Sequence, residues 1–148
     1  MRNLGARVGI RAPSIYEHFA SKQALEAVLI SIGFEEQAVE FEAAIEAQED
    51  PLWAMAVAYR SYARRHPQLY RLMYDRGLNR ELLLGDAEQR AVVPVVTATG
   101  GDRDLARATW AFAHGMTMLE LNGRFPADAD LDAAWRRGLS ALSTAGRP

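Results

Sequence analysis

Residues Leu4–Leu25 read LGARVGIRAPSIYEHFASKQAL, and this stretch determines most of what the sequence predicts. The pattern predicts a short helix that ends at Gly9 and a second one that begins near Ala12-Pro13, because proline is tolerated in the first turn of a helix. Ser21 is the N-cap of a third, longer helix. Two short helices joined by a glycine turn form a helix-turn-helix, whose second helix enters the DNA major groove.

The distribution of charge supports a DNA-binding end. The chain of 148 residues has a net charge of −2. Residues 1–22 carry four basic side chains and one acidic side chain, whereas the remainder carries 13 basic and 18 acidic ones. An asymmetry of this kind indicates a basic segment that binds a polyanion, attached to an acidic body.

The hydrophobic period downstream of this stretch is helical, which predicts an all-α fold. One long helix is predicted from Lys22 to about Ala47, with a bend near Gly33. Cap residues and first-turn prolines indicate further helix starts at Asp50-Pro51, His66-Pro67 and Asp102.

Two later segments differ from an ordinary amphipathic helix. The segment 81–99 is helical in pattern but contains Gly85 and Pro94, so a kink or break is expected in it. The helix over 102–121 has no charged residue between Arg107 and Glu120. It is shorter than the roughly 20 apolar residues that span a bilayer, so it is expected to be buried on several sides. A last helix is predicted over 128–143.

The stretch Leu4–Leu25 resembles the DNA-binding signature of the TetR family of transcriptional regulators in residue type and spacing. The matching residues are Gly9, Ile10, Ile15, Tyr16, His18, Phe19, Ser21, Lys22 and Leu25. The resemblance implies base-edge contacts from the start of the recognition helix, at Arg11, Ala12, Pro13 and Ser14. It implies phosphate contacts from Tyr16, His18 and Lys22, with a packing role as the alternative for His18.

A second resemblance lies near the other end of the chain. Residues 110–115 (WAFAHG) and 119–125 (LELNGRF) resemble the C-terminal domain of a TetR subgroup named for its Trp…His-Gly motif. In that subgroup this helix and the last one pack against their two-fold mates as a four-helix bundle, which implies a homodimer. The predicted interface residues are the large apolar side chains Trp110, Leu119, Leu131, Trp135, Leu139 and Leu142.

The helical body carries a set of aromatic and methionine side chains, with one histidine, that predicts a pocket for a small, mainly apolar effector. Its members are Trp53, Tyr59, Tyr62, Tyr70, Met73, Phe112, His114 and Met116. Ordinary core packing is the alternative at each of these positions.

These patterns predict two domains: a partial helix-turn-helix with its connecting helix over 1–45, and a ligand-binding and dimerisation domain over 46–148. In the family a full helix precedes the segment that starts here at Met1, so this form is expected to dimerise but to bind its operator weakly. The predicted function is a repressor that a small effector releases from a pseudo-palindromic operator. The alternative is a helical dimerisation or ligand-binding protein that does not bind DNA in this form.

Other classes of protein find little support in the sequence. With no Cys and three widely separated His residues, neither a disulfide scaffold nor an all-protein metal site is predicted. No nucleophile elbow, P-loop, dinucleotide-binding glycine motif or His-Glu-x-x-His pattern occurs, so neither an enzyme nor a cofactor is predicted. No stretch has the pattern of a signal peptide or a membrane span, which predicts a cytoplasmic protein without a membrane partner.

Overall fold

The computed structural model describes residues 19–145, which form six α-helices and a single 3-10 turn, with no strand among them. The helices are α1 (Lys22–Glu46), α2 (Pro51–Arg65), α3 (Pro67–Tyr74), α4 (Ala87–Ala98), α5 (Arg103–Leu121) and α6 (Leu131–Ala145). The 3-10 turn, Arg80–Leu82, lies between α3 and α4. The predicted all-α fold is confirmed. None of these helices is both long enough and apolar enough to cross a membrane.

Four helix starts are fixed by a side chain that caps the first turn. The cap residues of α1, α2, α5 and α6 are Ser21, Asp50, Asp102 and Asp130. Each accepts a hydrogen bond from a backbone N–H three residues later, at 2.9–3.0 Å, and so satisfies a donor that the helix itself leaves free. The first three starts agree with the sequence prediction. The last helix begins at Leu131 rather than near 128, because Asp130 is its cap.

The segment predicted over 81–99 is broken, and its regular helix begins at Ala87. Gly85 has a φ of 56°, a left-handed conformation that favours glycine. Pro94 lies inside α4 and is buried. Because proline has no amide hydrogen, α4 lacks one of its internal hydrogen bonds at this residue.

The long helix α1 packs most extensively on α4 and also contacts α2 and α3. Helix α5 contacts α2, α4 and α6, and α6 covers α5 and α2. The core has two parts. The larger one includes Phe41, Tyr59 and Trp135, and the smaller one surrounds Phe34 and Met73. Helix α1 contributes to both parts and is therefore an integral element of the helical body.

A buried carboxylate joins three helices at one end of the bundle. Glu120 of α5 accepts hydrogen bonds from Arg60 Nε of α2 at 2.8 Å and from Trp135 Nε1 of α6 at 2.6 Å. Arg60 also pairs with Asp132 of α6 at 2.5 Å. The Glu120 side chain is only 8% exposed, so its charge depends on these partners for compensation.

Helices α5 and α6 approach each other closely at Gly138. A methyl group at this position would overlap the ring of Phe112, which packs edge-on against Trp135 with ring centroids 5.6 Å apart. Gly115, in the middle of α5, has no such neighbour, since nothing in the chain lies within 4 Å of an added methyl group. The two glycines therefore provide a matched pair for testing this packing.

We predict that Gly138→Ala lowers the free energy of unfolding by about 1–3 kcal/mol, the usual cost of overpacking a core. Gly115→Ala, the control, should raise it by about 0.5–1 kcal/mol through helix propensity when the chain is monomeric, since Gly115 shares a face of α5 with Leu119. Urea unfolding at one protein concentration, followed by circular dichroism, measures both values. A stabilised Gly138→Ala would contradict the close approach of α5 and α6.

Candidate functional site

A cavity of about 360 Å³ lies between the helices, and α1, α2, α3, α4 and α5 all contribute to its walls. Its lining is mainly apolar and includes Phe34, Phe41, Met73, Leu78, Val92, Val95, Val96 and Trp110. Pockets for small molecules typically measure ~300–1,000 Å³ and combine such a lining with a few polar groups. The cavity therefore has the size and the surface to hold a small organic molecule.

One polar side chain of the lining is completely buried, and only one of its two polar atoms has a hydrogen-bond partner. Gln37 of α1 has no exposed surface, and its Oε1 accepts a hydrogen bond from the hydroxyl of Tyr74 at 2.7 Å. Its Nε2 has no hydrogen-bond partner within residues 19–145. Because an unpaired buried donor costs free energy, this amide is the strongest polar feature of the cavity wall.

A chain of hydrogen bonds links three helices beside the cavity. The hydroxyls of Tyr59 (α2) and Tyr70 (α3) are 2.8 Å apart, and the hydroxyl of Tyr70 is 2.8 Å from Nδ1 of His114 (α5). Tyr59 and His114 line the cavity, and Tyr70, which has no exposed surface, connects them. Burial raises the pKa of Tyr59 and Tyr70, so both hydroxyls keep their protons.

The imidazole of His114 is favoured in its neutral form. Burial lowers the pKa of His114, an effect that the carboxylate of Asp75 opposes only in part. When the Tyr70 hydroxyl donates to Nδ1, the ring proton resides on Nε2, since a neutral imidazole has one donor and one acceptor nitrogen. The interior end of the cavity is therefore polar but uncharged.

The charged residues of the lining are predominantly basic. They are Arg76, Arg80, Arg103 and Arg107, with Glu88 as the single carboxylate. Arg80 pairs with Glu88 through two contacts of 2.6 and 2.7 Å, and Arg107 pairs with Asp104 at 2.5 Å. Arg103 makes no salt bridge with another residue of the described range. All four arginines are exposed, so the positive charge lies at the rim.

Residues 52–142 match a family model described as the C-terminal domain of tetracycline-repressor-like proteins. The match covers more than half of the chain. The chain belongs to the TetR family.

Two solved structures resemble this TetR-family chain in fold. A proposed regulatory protein, SCO4313, superimposes with a TM-score of 0.76 at 23% identity, over 95% of this chain and 83% of the other. A protein of unknown function from Rhodococcus sp. RHA1 gives the same TM-score and identity, over 97% of this chain and 82% of the other. At this identity the comparison shows a shared fold. A search of curated proteins gives no significant match.

The structure brings together only part of the pocket predicted for the TetR ligand domain. Tyr59, Met73 and His114 line the cavity. The other five, Trp53, Tyr62, Tyr70, Phe112 and Met116, are not part of its lining. Helical periodicity identifies residues that face inward, but it does not distinguish those that border an empty space from those that touch another side chain.

The sequence prediction missed the contribution of α1, which was assigned to the DNA-binding end of the TetR chain. Phe34, Gln37 and Phe41 of α1 all line the cavity. One signal for Gln37 is present in the sequence. It lies on the same helical stripe as Ile30, Phe34 and Phe41, where an uncharged polar residue interrupts an otherwise apolar face.

The predicted dimer-interface residues also divide into two groups. Trp135 and Leu139 are 1% and 4% exposed, because α6 uses this face to cover α2 and α5. For these two the interface prediction is corrected: they are core residues of the single chain. Trp110 and Leu119 are 45% and 43% exposed, and Leu131 and Leu142 are half-buried.

The predicted DNA contacts Arg11, Ala12, Pro13, Ser14, Tyr16 and His18 lie outside the described residues. Lys22 is the first residue of α1, and its side chain is 58% exposed. Its ammonium pairs with Glu26 at 2.8 Å, one helical turn further on. A phosphate bound at the start of α1 would meet the free N–H groups of the first turn and would compete with Glu26 for Lys22.

We predict that His114 makes the stability of the chain depend on pH. Because burial lowers its pKa, the unfolded chain binds this proton more readily than the folded chain does. The free energy of unfolding should therefore fall as the pH drops below about 6.5, the ordinary pKa of histidine. Urea unfolding between about pH 8 and pH 5 should show a smaller decline for His114→Gln than for the wild type. His66→Gln, at an exposed histidine, is the control; an equal decline in all three proteins would contradict the prediction.

Proposed function

We propose that the protein is a DNA-binding transcription regulator, a repressor that a small effector releases from its operator. The cavity inside the TetR-like domain carries this proposal, since a sensor needs a site that can be either empty or filled. The proposed partners are a second copy of the chain, a pseudo-palindromic operator and the effector, and the proposed location is the cytoplasm.

The position of α1 supports a route from the cavity to the DNA. Helix α1 forms one wall of the cavity through Phe34, Gln37 and Phe41, and it begins directly after the segment with the predicted helix-turn-helix. Its 25 residues span about 37 Å at 1.5 Å per residue. A small tilt at the cavity therefore displaces the start of the helix. The shift in population cannot exceed the effector's differential affinity for the two states.

The open face of α5 supports the proposed homodimer. Ala108, Ala111 and Leu119 are exposed on one face of a helix that has no charged side chain between Arg107 and Glu120, whereas Trp110 lies on the other side and lines the cavity. A continuous apolar surface of this kind is typical of an interface. In the proposed dimer the two recognition helices would enter successive major grooves, about 34 Å apart.

The proposed domains are a partial helix-turn-helix with its connecting helix over 1–45 and a ligand-binding and dimerisation domain over 46–148. In this division α1 belongs to the first domain by sequence and contributes a wall to the second by packing. Such a shared helix would make the two domains mechanically dependent on each other.

We predict that Lys22→Gln weakens binding to all DNA sequences and reduces the slope of log K against log salt by about one, the loss of one phosphate contact. Glu26→Gln is the matched variant, since it removes the ion pair that competes for Lys22 and should tighten DNA binding. Fluorescence anisotropy with a labelled duplex selected from a random pool measures both. An unchanged slope for Lys22→Gln would exclude it as a phosphate contact. Absence of DNA binding at any salt concentration would favour the alternative, a ligand-binding protein without DNA binding.

We predict that Leu119→Arg converts the dimer to a monomer without loss of helix content, because Leu119 is exposed on α5. Trp135→Arg should instead unfold the chain, because the native side chain is only 1% exposed and the substitution places a charge in the core. Sedimentation equilibrium and circular dichroism distinguish the two results. A dimer of Leu119→Arg that survives at micromolar concentration would contradict the proposed interface.

A further inference from the structure

We propose that the ligand of the cavity is an amphipathic organic anion: an anionic group at the arginine rim, an apolar body, and a hydrogen-bond acceptor that reaches the amide of Gln37. The role of this ligand as an effector rests on the proposed function. Its binding to the cavity does not.

The requirement for an acceptor follows from Gln37. In the structure the hydroxyl of Tyr74 donates to Oε1 of Gln37 at 2.7 Å, which leaves the Nε2 end of the amide as its unpaired group. The remaining group, Nε2, can only donate, and no described residue accepts from it. A carbonyl, hydroxyl or ether oxygen on the ligand would satisfy it, whereas a methyl group would leave the donor unpaired.

The requirement for an anion follows from the rim. Arg103 and Arg107 lie one helical turn apart on α5, an arrangement in which like charges repel each other. Asp104, the partner of Arg107, has a side chain that is 91% exposed, so water screens this pair strongly. Arg76 adds a third cation, whose contact with Glu26 is long at 3.9 Å, while Arg80 is paired with Glu88. A carboxylate bound here would relieve the repulsion.

The other residues of the cavity wall determine which end of the ligand carries the anion and which end carries the uncharged acceptor. The interior end contains the neutral imidazole of His114 and the protonated hydroxyl of Tyr59, which offer polarity without charge. Between this end and the rim, the walls are valines and aromatic rings. An anion is therefore favoured only at the exposed end, and an uncharged oxygen is favoured only at the buried end.

The test compares ligands that differ in one end group. We would measure binding of ω-hydroxycarboxylates of increasing chain length to the whole chain, by titration calorimetry at low salt. For the length that binds best, the same measurement is made with the α,ω-diol and with the unsubstituted carboxylate. We expect the hydroxycarboxylate to bind about ten-fold or more tightly than either, since hydrogen bonds to a charged group or to a buried unpaired donor are the strong ones.

Matched variants assign each preference to its residue. Arg103→Gln should weaken binding of the hydroxycarboxylate and leave the diol unchanged. Arg64→Gln is the control, because it removes the same charge from an exposed position on α2 that does not line the cavity. Gln37→Leu should abolish the preference for the hydroxyl over the unsubstituted carboxylate. Gln37→Met keeps the length of the side chain but lacks the N–H donors of the amide, so it should have the same effect even if Gln37→Leu folds poorly.

The outcomes separate this proposal from the proposed function. Equal affinity for hydroxycarboxylate and diol, or an undiminished preference in Arg103→Gln, would overturn the anionic end. A hydroxyl preference that survives both Gln37 variants would overturn the amide contact. Absence of binding throughout the series would overturn the ligand class. It would not bear on DNA binding, which the anisotropy experiment tests separately. A ligand that binds as expected but does not alter DNA binding would contradict only the effector role.

Discussion

The hydroxyl of Tyr70 is the point on which the geometry of the cavity depends. It makes two hydrogen bonds of 2.8 Å, one to Tyr59 on α2 and one to His114 on α5, and it is itself carried by α3. Buried polar groups must keep their partners, because a buried group left without one costs free energy. These bonds therefore fix the spacing of three helices and prevent a collapse that would fill the space beside them.

The net charge of the chain conceals two separate basic regions. The net charge of −2 includes the basic segment 1–22 and, as the structure shows, an arginine rim around the cavity. The acidic side chains lie mostly elsewhere or in pairs, such as Glu120 with Arg60 and Glu40 with Arg65. Local charge, rather than the total, decides which molecules each part of the surface attracts.

Local sequence signals predicted most helix starts correctly. The side-chain roles that they missed depend on contacts between residues far apart in the sequence. Ser21, Asp50 and Asp102 each cap the helix that their sequence predicted, because a cap depends only on neighbouring residues. The role of Gln37 depends on Tyr74, 37 residues away, and no local pattern reports that pairing. Trp135 has the same apolar appearance whether it faces a second copy or its own chain, and only the packing of α6 shows that it faces its own core.

The caps also have an evolutionary consequence. The starts of four helices are set by the N-cap residues Ser21, Asp50, Asp102 and Asp130, and none of these residues lines the cavity. Residues of the lining can therefore be exchanged without moving the helices that carry them. A lineage that inherits this arrangement can change the shape and polarity of the cavity by a few substitutions in α1, α4 and α5, while the helix starts stay where they are.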